Sequence, residues 1–198
     1  MTTRTPAPRL LMWIDAVGGY LVCLEDEIVL GPAGDGVADV PILGDVSRRH
    51  AVIRRDGEGY LIEPHRPVRV DGASLERSAP LSDGSRIELG ESVQLCFRKP
   101  HPLSRTARLD IFSRHKTEPA VDGIVLMADS LIVGPGTQNH VVCRDWRQDL
   151  VLFRQGDALC CRSKAAYEVD GIPREGKTEI GYNARVTGED FAMRIEQV

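Results

Sequence analysis

The feature that most restricts this 198-residue chain is an internal repeat. "LEDEIVLGP" (Leu24 to Pro32) lies ungapped over "MADSLIVGP" (Met127 to Pro135), sharing the Asp, the apolar triplet and the Gly-Pro stop. "RRDGEGYLIEPHRPVRVDG" (Arg54 to Gly72) lies over "FRQGDALCCRSKAAYEVDG" (Phe153 to Gly171), closing on an identical Val-Asp-Gly. "LSDGSRIELGESVQLCF" (Leu81 to Phe97) then matches "IGYNARVTGEDFAMRI" (Ile180 to Ile195) with one residue removed. Three blocks in one order at nearly constant spacing mean two copies of one folding unit.

Each copy reads as β. "GYLVCLEDEIVLG", "HAVIRRDGEGYLI", "VRVDGASL" and "SRIELGESVQLCF" are short apolar or alternating runs punctuated by Asp-Gly, Glu-Gly or Gly-Glu turns, the spacing of antiparallel sandwiches. No stretch sustains a helical period with caps. The expected organisation is a first sandwich over 1–99, a proline-containing linker over 100–105 and a second sandwich over 106–198. Pro100 and Pro102 stiffen the join, so the expectation is two sandwiches placed semi-rigidly and not freely tethered.

Composition narrows the function. A 42% hydrophobic share, 27% charged share and net charge of -4 describe an ordinary globular protein with no overall electrostatic footprint for nucleic acid or anionic lipid. Arg48, Arg49, Arg54, Arg55, Arg66 and Arg69 are interleaved with Asp45, Asp56, Glu58, Glu63 and Asp71 and lack an aromatic platform, so a mixed-charge sandwich surface is expected there and not a nucleic-acid stripe. No apolar run reaches the roughly 20 residues of a spanning helix, and the N-terminus has no signal-peptide pattern; a cytoplasmic location without membrane attachment is expected. The five cysteines form no CxxC pair, and His140 with Cys143 and Cys160 or Cys161 falls short of four convincing metal ligands; neither metal nor cofactor is expected.

The densest chemistry lies in "VSRRHAVI" (Val46 to Ile53). With the strand end at Gly31, the turn at Val70 to Gly72 and the hairpin at Leu81 to Gly90, it resembles the forkhead-associated (FHA) family, an eleven-stranded β-sandwich whose loops recognise phosphothreonine peptides. The likeness covers residues about 9 to 98 and extends more weakly over 104 to 198. Ser47 to His50 matches the family's Ser-x-x-His. The resemblance implies a non-enzymatic module that binds a protein partner, with Ser47 and Arg48 facing the phosphate and His50 and Gly31 supporting the loop. The chemistry is suitable: a phosphate at pH 7 carries about -1.5 to -2 charge and takes a hydroxyl and a guanidinium fork as donors.

Two family positions differ. Pro32 stands where the family carries Arg after the strand-end Gly, and Arg66-Pro67 stands where it carries Asn-Gly. A charged hydrogen bond contributes roughly 1.5 to 3 kcal/mol, so losing two takes a micromolar binder to about the millimolar range. Arg66, or Arg49 if the loop is turned, is the candidate replacement cation. In the second copy Trp146 stands opposite Ser47 and Asp149 opposite His50, with Arg147 opposite Arg48, so phosphate binding is not expected there. Trp146 is expected either as an exposed anchor or as a cover for the core. Two other readings follow from the residues: an interaction scaffold in which both copies have abandoned phosphate, and a hydrolase using Ser47 with His50, for which no orienting acid or oxyanion loop is identifiable.

Overall fold

Turn chemistry sets the hairpins. In each copy the Val-Asp-Gly places two consecutive residues at positive φ, Asp71 (51°) with Gly72 (83°) and Asp170 (53°) with Gly171 (79°), the geometry of a two-residue hairpin whose twist matches its strands. The Asp carboxylates accept the Arg86 and Arg185 amides, each at 2.8 Å. The same local solution 99 residues apart is the repeat expressed in three dimensions.

The structure is a computed structural model describing residues 9–34 and 36–198; among these no helix forms. The first copy supplies β1 (Arg9–Ile14), β2 (Gly18–Cys23), β3 (Glu27–Pro32), β4 (Val40–Leu43), β5 (Ala51–Asp56), β6 (Gly59–Pro64), β7 (Val68–Val70), β8 (Ala73–Ser74), β9 (Ala79–Leu81), β10 (Arg86–Leu89) and β11 (Val93–Arg98). The second supplies β12 (Ala107–Ile111), β13 (Lys116–Thr117), β14 (Gly123–Leu126), β15 (Ser130–Gly134), β16 (Val141–Val142), β17 (Leu150–Gln155), β18 (Ala158–Ser163), β19 (Tyr167–Val169), β20 (Ile172–Arg174), β21 (Lys177–Ile180), β22 (Ala184–Thr187) and β23 (Ala192–Gln197).

Two outer sheets have the same order, β4-β3-β5-β6-β9 and β16-β15-β17-β18-β21, and β13 extends the first at its β4 edge. Between them runs one twelve-stranded sheet, β20-β19-β22-β23-β1-β2-β14-β12-β11-β10-β7-β8. The first strand of each copy therefore pairs with the last strand of the other: β1 with β23, and β12 with β11. The halves join where β2 runs parallel to β14, in a register that sets Tyr20 to Cys23 beside Gly123 to Leu126, residues 103 positions apart. The two copies have exchanged their leading hairpins.

The cores follow this exchange. One contains Leu109, Ile124 and Leu126 among first-copy residues; the other contains Leu10, Met12, Ile14, Tyr20 and Val22 among second-copy residues. The linker 100–105 thus separates the sequence repeats but not the packed units, and the picture of two sandwiches spaced by a stiff linker is replaced by two sandwiches fused through a common sheet. Strands in the middle are covered on both faces, which requires unbroken apolar runs in place of alternation. "YLVC" (20–23) and "IVL" (124–126) are such runs, buried throughout.

Paired arginines tie the copies together. Arg55 Nη2 donates to the Met127 carbonyl at 3.1 Å and Arg154 Nη1 to the Leu24 carbonyl at 2.9 Å. Both donors and both acceptors are repeat equivalents, so each copy caps the turn that follows the other's β2 or β14.

Candidate functional site

The first copy's recognition loop is built on a glycine. A Cβ at Gly31 would stand 3.2 Å from the Arg49 amide nitrogen and 3.3 Å from the Ala38 Cβ, so the turn at residues 47–49 rests directly on the end of β3. Val46, buried in the first core, anchors the loop from beneath. Arg49 takes a φ of 49°, a conformation costing about 1 to 3 kcal/mol for a residue with a side chain. That turn lets the His50 amide donate to the Leu30 carbonyl at 2.8 Å and start β5.

His50 joins two loops. Its ring, 3% exposed, accepts the Ser47 amide at Nδ1 (3.0 Å) and donates from Nε2 to the Pro67 carbonyl (3.0 Å), which defines the neutral Nε2–H tautomer. Its own carbonyl accepts the amides of His65 and Arg66 at 3.0 and 3.1 Å. Pro67 O also accepts the Gly90 amide at 3.0 Å, which ties in the β10–β11 turn. Loops 44–50 and 64–68 are thereby locked to one another through a single imidazole.

This frame presents a half-buried Ser47 and an exposed Arg48. The Ser47 hydroxyl has no hydrogen-bond partner among the described residues. Arg66 is exposed on the neighbouring loop, and its Nη1 donates to the His65 carbonyl at 3.2 Å. Arg49, considered as a replacement cation, is directed elsewhere. Its guanidinium donates to Glu27 at 3.0 Å and to His65 Nε2 at 3.3 Å, on the outer face of the β3–β5–β6 sheet. Glu27 and Glu63 also hold Arg54, so the cations on that face are used by their neighbours. The hydrolase geometry is not formed: both ring nitrogens of His50 face backbone groups, and the atom of Ser47 that meets the ring is its amide nitrogen.

The second copy fills the equivalent space. A Cβ at Gly134 would lie 2.2 Å from Asp149 Oδ1, which itself accepts the Asn139 side-chain amide at 2.7 Å. The carboxylate occupies the ground that loop backbone takes in the first copy. Trp146 is 5% exposed and stacks on Phe191 with ring centroids 4.8 Å apart, so it covers the core, and the exposed-anchor alternative falls. Arg147 turns to Glu189 at 3.2 Å.

His140 is a fully buried hub: Nδ1 accepts the Ile132 amide at 2.9 Å and Nε2 lies 2.9 Å from the Ser104 hydroxyl. In the first copy the Asp39 carboxylate does the corresponding work, accepting the Val29 amide at 2.8 Å. Burial, with electrostatic contributions from the nearby His101 and the Arg108 guanidinium adding to it, lowers the His140 pKa from 6.5 to about 4. Since the folded value lies below the unfolded one, the unfolded chain takes up this proton first. Stability is full above about pH 6.5, falls as pH drops, and the loss of about 3 kcal/mol is complete below about pH 4. Denaturant titrations from pH 7.5 to 4.5 should show this slope, and His140→Asn should flatten it. Cys143, which falls short of a ligand set with His140 in the sequence, is a buried thiol pushed up to about 12 by burial, and no metal-binding cluster occurs among the described residues.

The family model described as FHA domain matches residues 35–90. That span includes Ser47, Arg48, Arg49, His50 and Arg66; Gly31 and the whole second copy lie outside it. Among solved structures, the Rv0020c FHA structure is 26% identical, covers 45% of this chain and 91% of its own, and superposes with a TM-score of 0.30. The N-terminal FHA domain from EssC, a component of the bacterial Type VII secretion apparatus, is 11% identical, with 97% of this chain and 95% of that chain covered and a TM-score of 0.27. No curated protein matches. The all-β sandwich, the Ser-x-x-His loop locked by His50 and the match over residues 35–90 make the first copy of this chain similar to the FHA domain, a protein-interaction module.

Proposed function

We propose that the first copy is a weak phosphothreonine-peptide reader that recruits a protein partner, acting without enzymatic chemistry, metal or cofactor in the cytoplasm. The supporting observation is the lock around His50, which presents a Ser47 hydroxyl unpartnered among the described residues and an exposed Arg48 on one loop, with Arg66 on the loop bonded to the His50 carbonyl. Five free, buried cysteines suit a reducing compartment. Pro32 explains why binding is weak: it pairs in β3 opposite Ile42, where a proline supplies neither cation nor amide donor.

Titration with a phosphothreonine peptide and its unphosphorylated twin tests this reading. The phosphorylated form should bind with a dissociation constant approaching about 1 mM. Ser47→Ala should weaken it roughly tenfold, and Pro32→Arg should strengthen it by about tenfold or more. Equal affinity for the twin peptides would refute the proposal. It would favour the second reading, a phosphate-independent scaffold, for which the engagement of Arg49 by Glu27 is the specific support.

A further inference from the structure

The outer faces of the two outer sheets differ in charge in a way that the repeat makes readable. On the first, acids and bases cancel: Glu27 holds Arg49 and Arg54, while Glu63 holds Arg54 and lies 3.7 Å from His65. In the second copy the equivalent of Glu27 is Ser130, that of Glu63 is Arg162 and that of His65 is Lys164. Both acids are gone; of the cations, Arg49 and Arg54 give way to Gln148 and Phe153, while Arg162 and Lys164 are gained.

Strand β21 adds a third cation, Lys177, and one carboxylate, Glu179, which pairs across from Cys160. Lys177 on β21 is directly opposite Arg162 on β18, and residues so paired share a face. Like charges in that position repel. Lys177 leans away from Arg162, its ammonium over the Phe153 ring at 5.4 Å and bonded to the Gln155 side chain. Among the described residues none of Arg162, Lys164 and Lys177 forms an ion pair. Arg162 and Lys164 instead line a cleft of about 490 Å³ with Val151, Ser163, Gly176 and Asp149. The single carboxylate there, Asp149, has one oxygen held by Asn139. Two exposed cations beside an apolar floor at Val151 fit carboxylate side chains carried on a peptide.

We propose that this cleft on the outer face of β17, β18 and β21 docks an acidic, Asp/Glu-rich peptide segment of a protein partner, with Arg162 and Lys164 receiving its carboxylates. The site is separate from the phosphopeptide loop and uses the copy that has lost it. A partner could therefore hold the chain at two places at once, gaining from effective concentration what the first site lacks in strength.

The test is fluorescence anisotropy of the full chain with a fluorescein-labelled octaglutamate peptide, an octaglutamine control and an eight-nucleotide DNA strand. Octaglutamate should bind saturably and lose affinity as salt rises from 50 to 300 mM, whereas octaglutamine should not bind. Arg162→Glu should weaken octaglutamate at least tenfold and Arg162→Gln at least threefold. Arg114→Glu, the same charge change at an exposed position on another element, should change it less than twofold. Absence of binding, equal loss in Arg114→Glu, or equal binding of octaglutamine or DNA would each overturn the proposal.

Discussion

Cutting the chain between Leu103 and Ser104 should yield two halves, neither of which folds as a monomer. Alone, the first half loses Leu109, Ile124 and Leu126 from its core and leaves β11 as an open edge where β12 pairs. Burying each such side chain contributes about 1.5 to 3 kcal/mol, so the three together amount to much of the 5 to 15 kcal/mol that stabilises a typical domain. The half would also expose Leu10, Met12, Ile14, Tyr20 and Val22, which are buried against the second copy. Size-exclusion chromatography with light scattering and near-ultraviolet circular dichroism would show aggregates, exchanged oligomers or unfolded chains. Mixing the halves during refolding should restore a one-to-one complex with native dichroism. A compact monomeric half with a cooperative melt would show that β1 and β2 close back on their own β11 once the other copy is removed, so that the exchange is not needed for folding.

His50→Ala should be the most damaging single change in the recognition region. It removes the acceptor of the Ser47 amide and the donor to Pro67 O, and it leaves a void beneath two loops. Two lost buried hydrogen bonds together with the cavity cost about 3 kcal/mol, or roughly 6 to 12 °C in melting temperature for a chain of this size. Peptide binding should fall further than stability alone accounts for, because loops 44–50 and 64–68 would no longer share an anchor. Arg66→Ala, on the neighbouring loop and exposed, should change stability by about 0.5 kcal/mol or less. A His50→Ala melt within a degree or two of the parent would show that the loops are held by other contacts.

The contrast between these residues shows what a linear reading recovers. The repeat, the β character, the turns at Asp71-Gly72 and Asp170-Gly171 and the Ser-x-x-His cluster are local signals, each carried by neighbours in sequence. Arg49 was harder to place. Alternation shows only that an arginine precedes β5; its positive φ and the position of Glu27 on a strand 22 residues earlier decide which way it turns. Trp146 left two options open because a tryptophan in a polar loop suits a surface or a core. Phe191, 45 residues later, closes the core over it.

The apolar runs at 20–23 and 124–126 imply burial on both faces, but Ile28 to Leu30 and Ala51 to Ile53 in an outer sheet are buried throughout as well, so no such run marks the exchange of hairpins in the sequence. Which strand lies alongside them is a different kind of information. With two copies of the same hairpin and the same acceptor edge in one chain, self-pairing and cross-pairing satisfy the same local rules. The sequence by itself determined the strands, the turns and the duplication, because these depend on side-chain period and backbone preference. Only the tertiary structure decided which copy completes which core and which cations are left without acids, because pairing and charge balance depend on residues far apart in the chain.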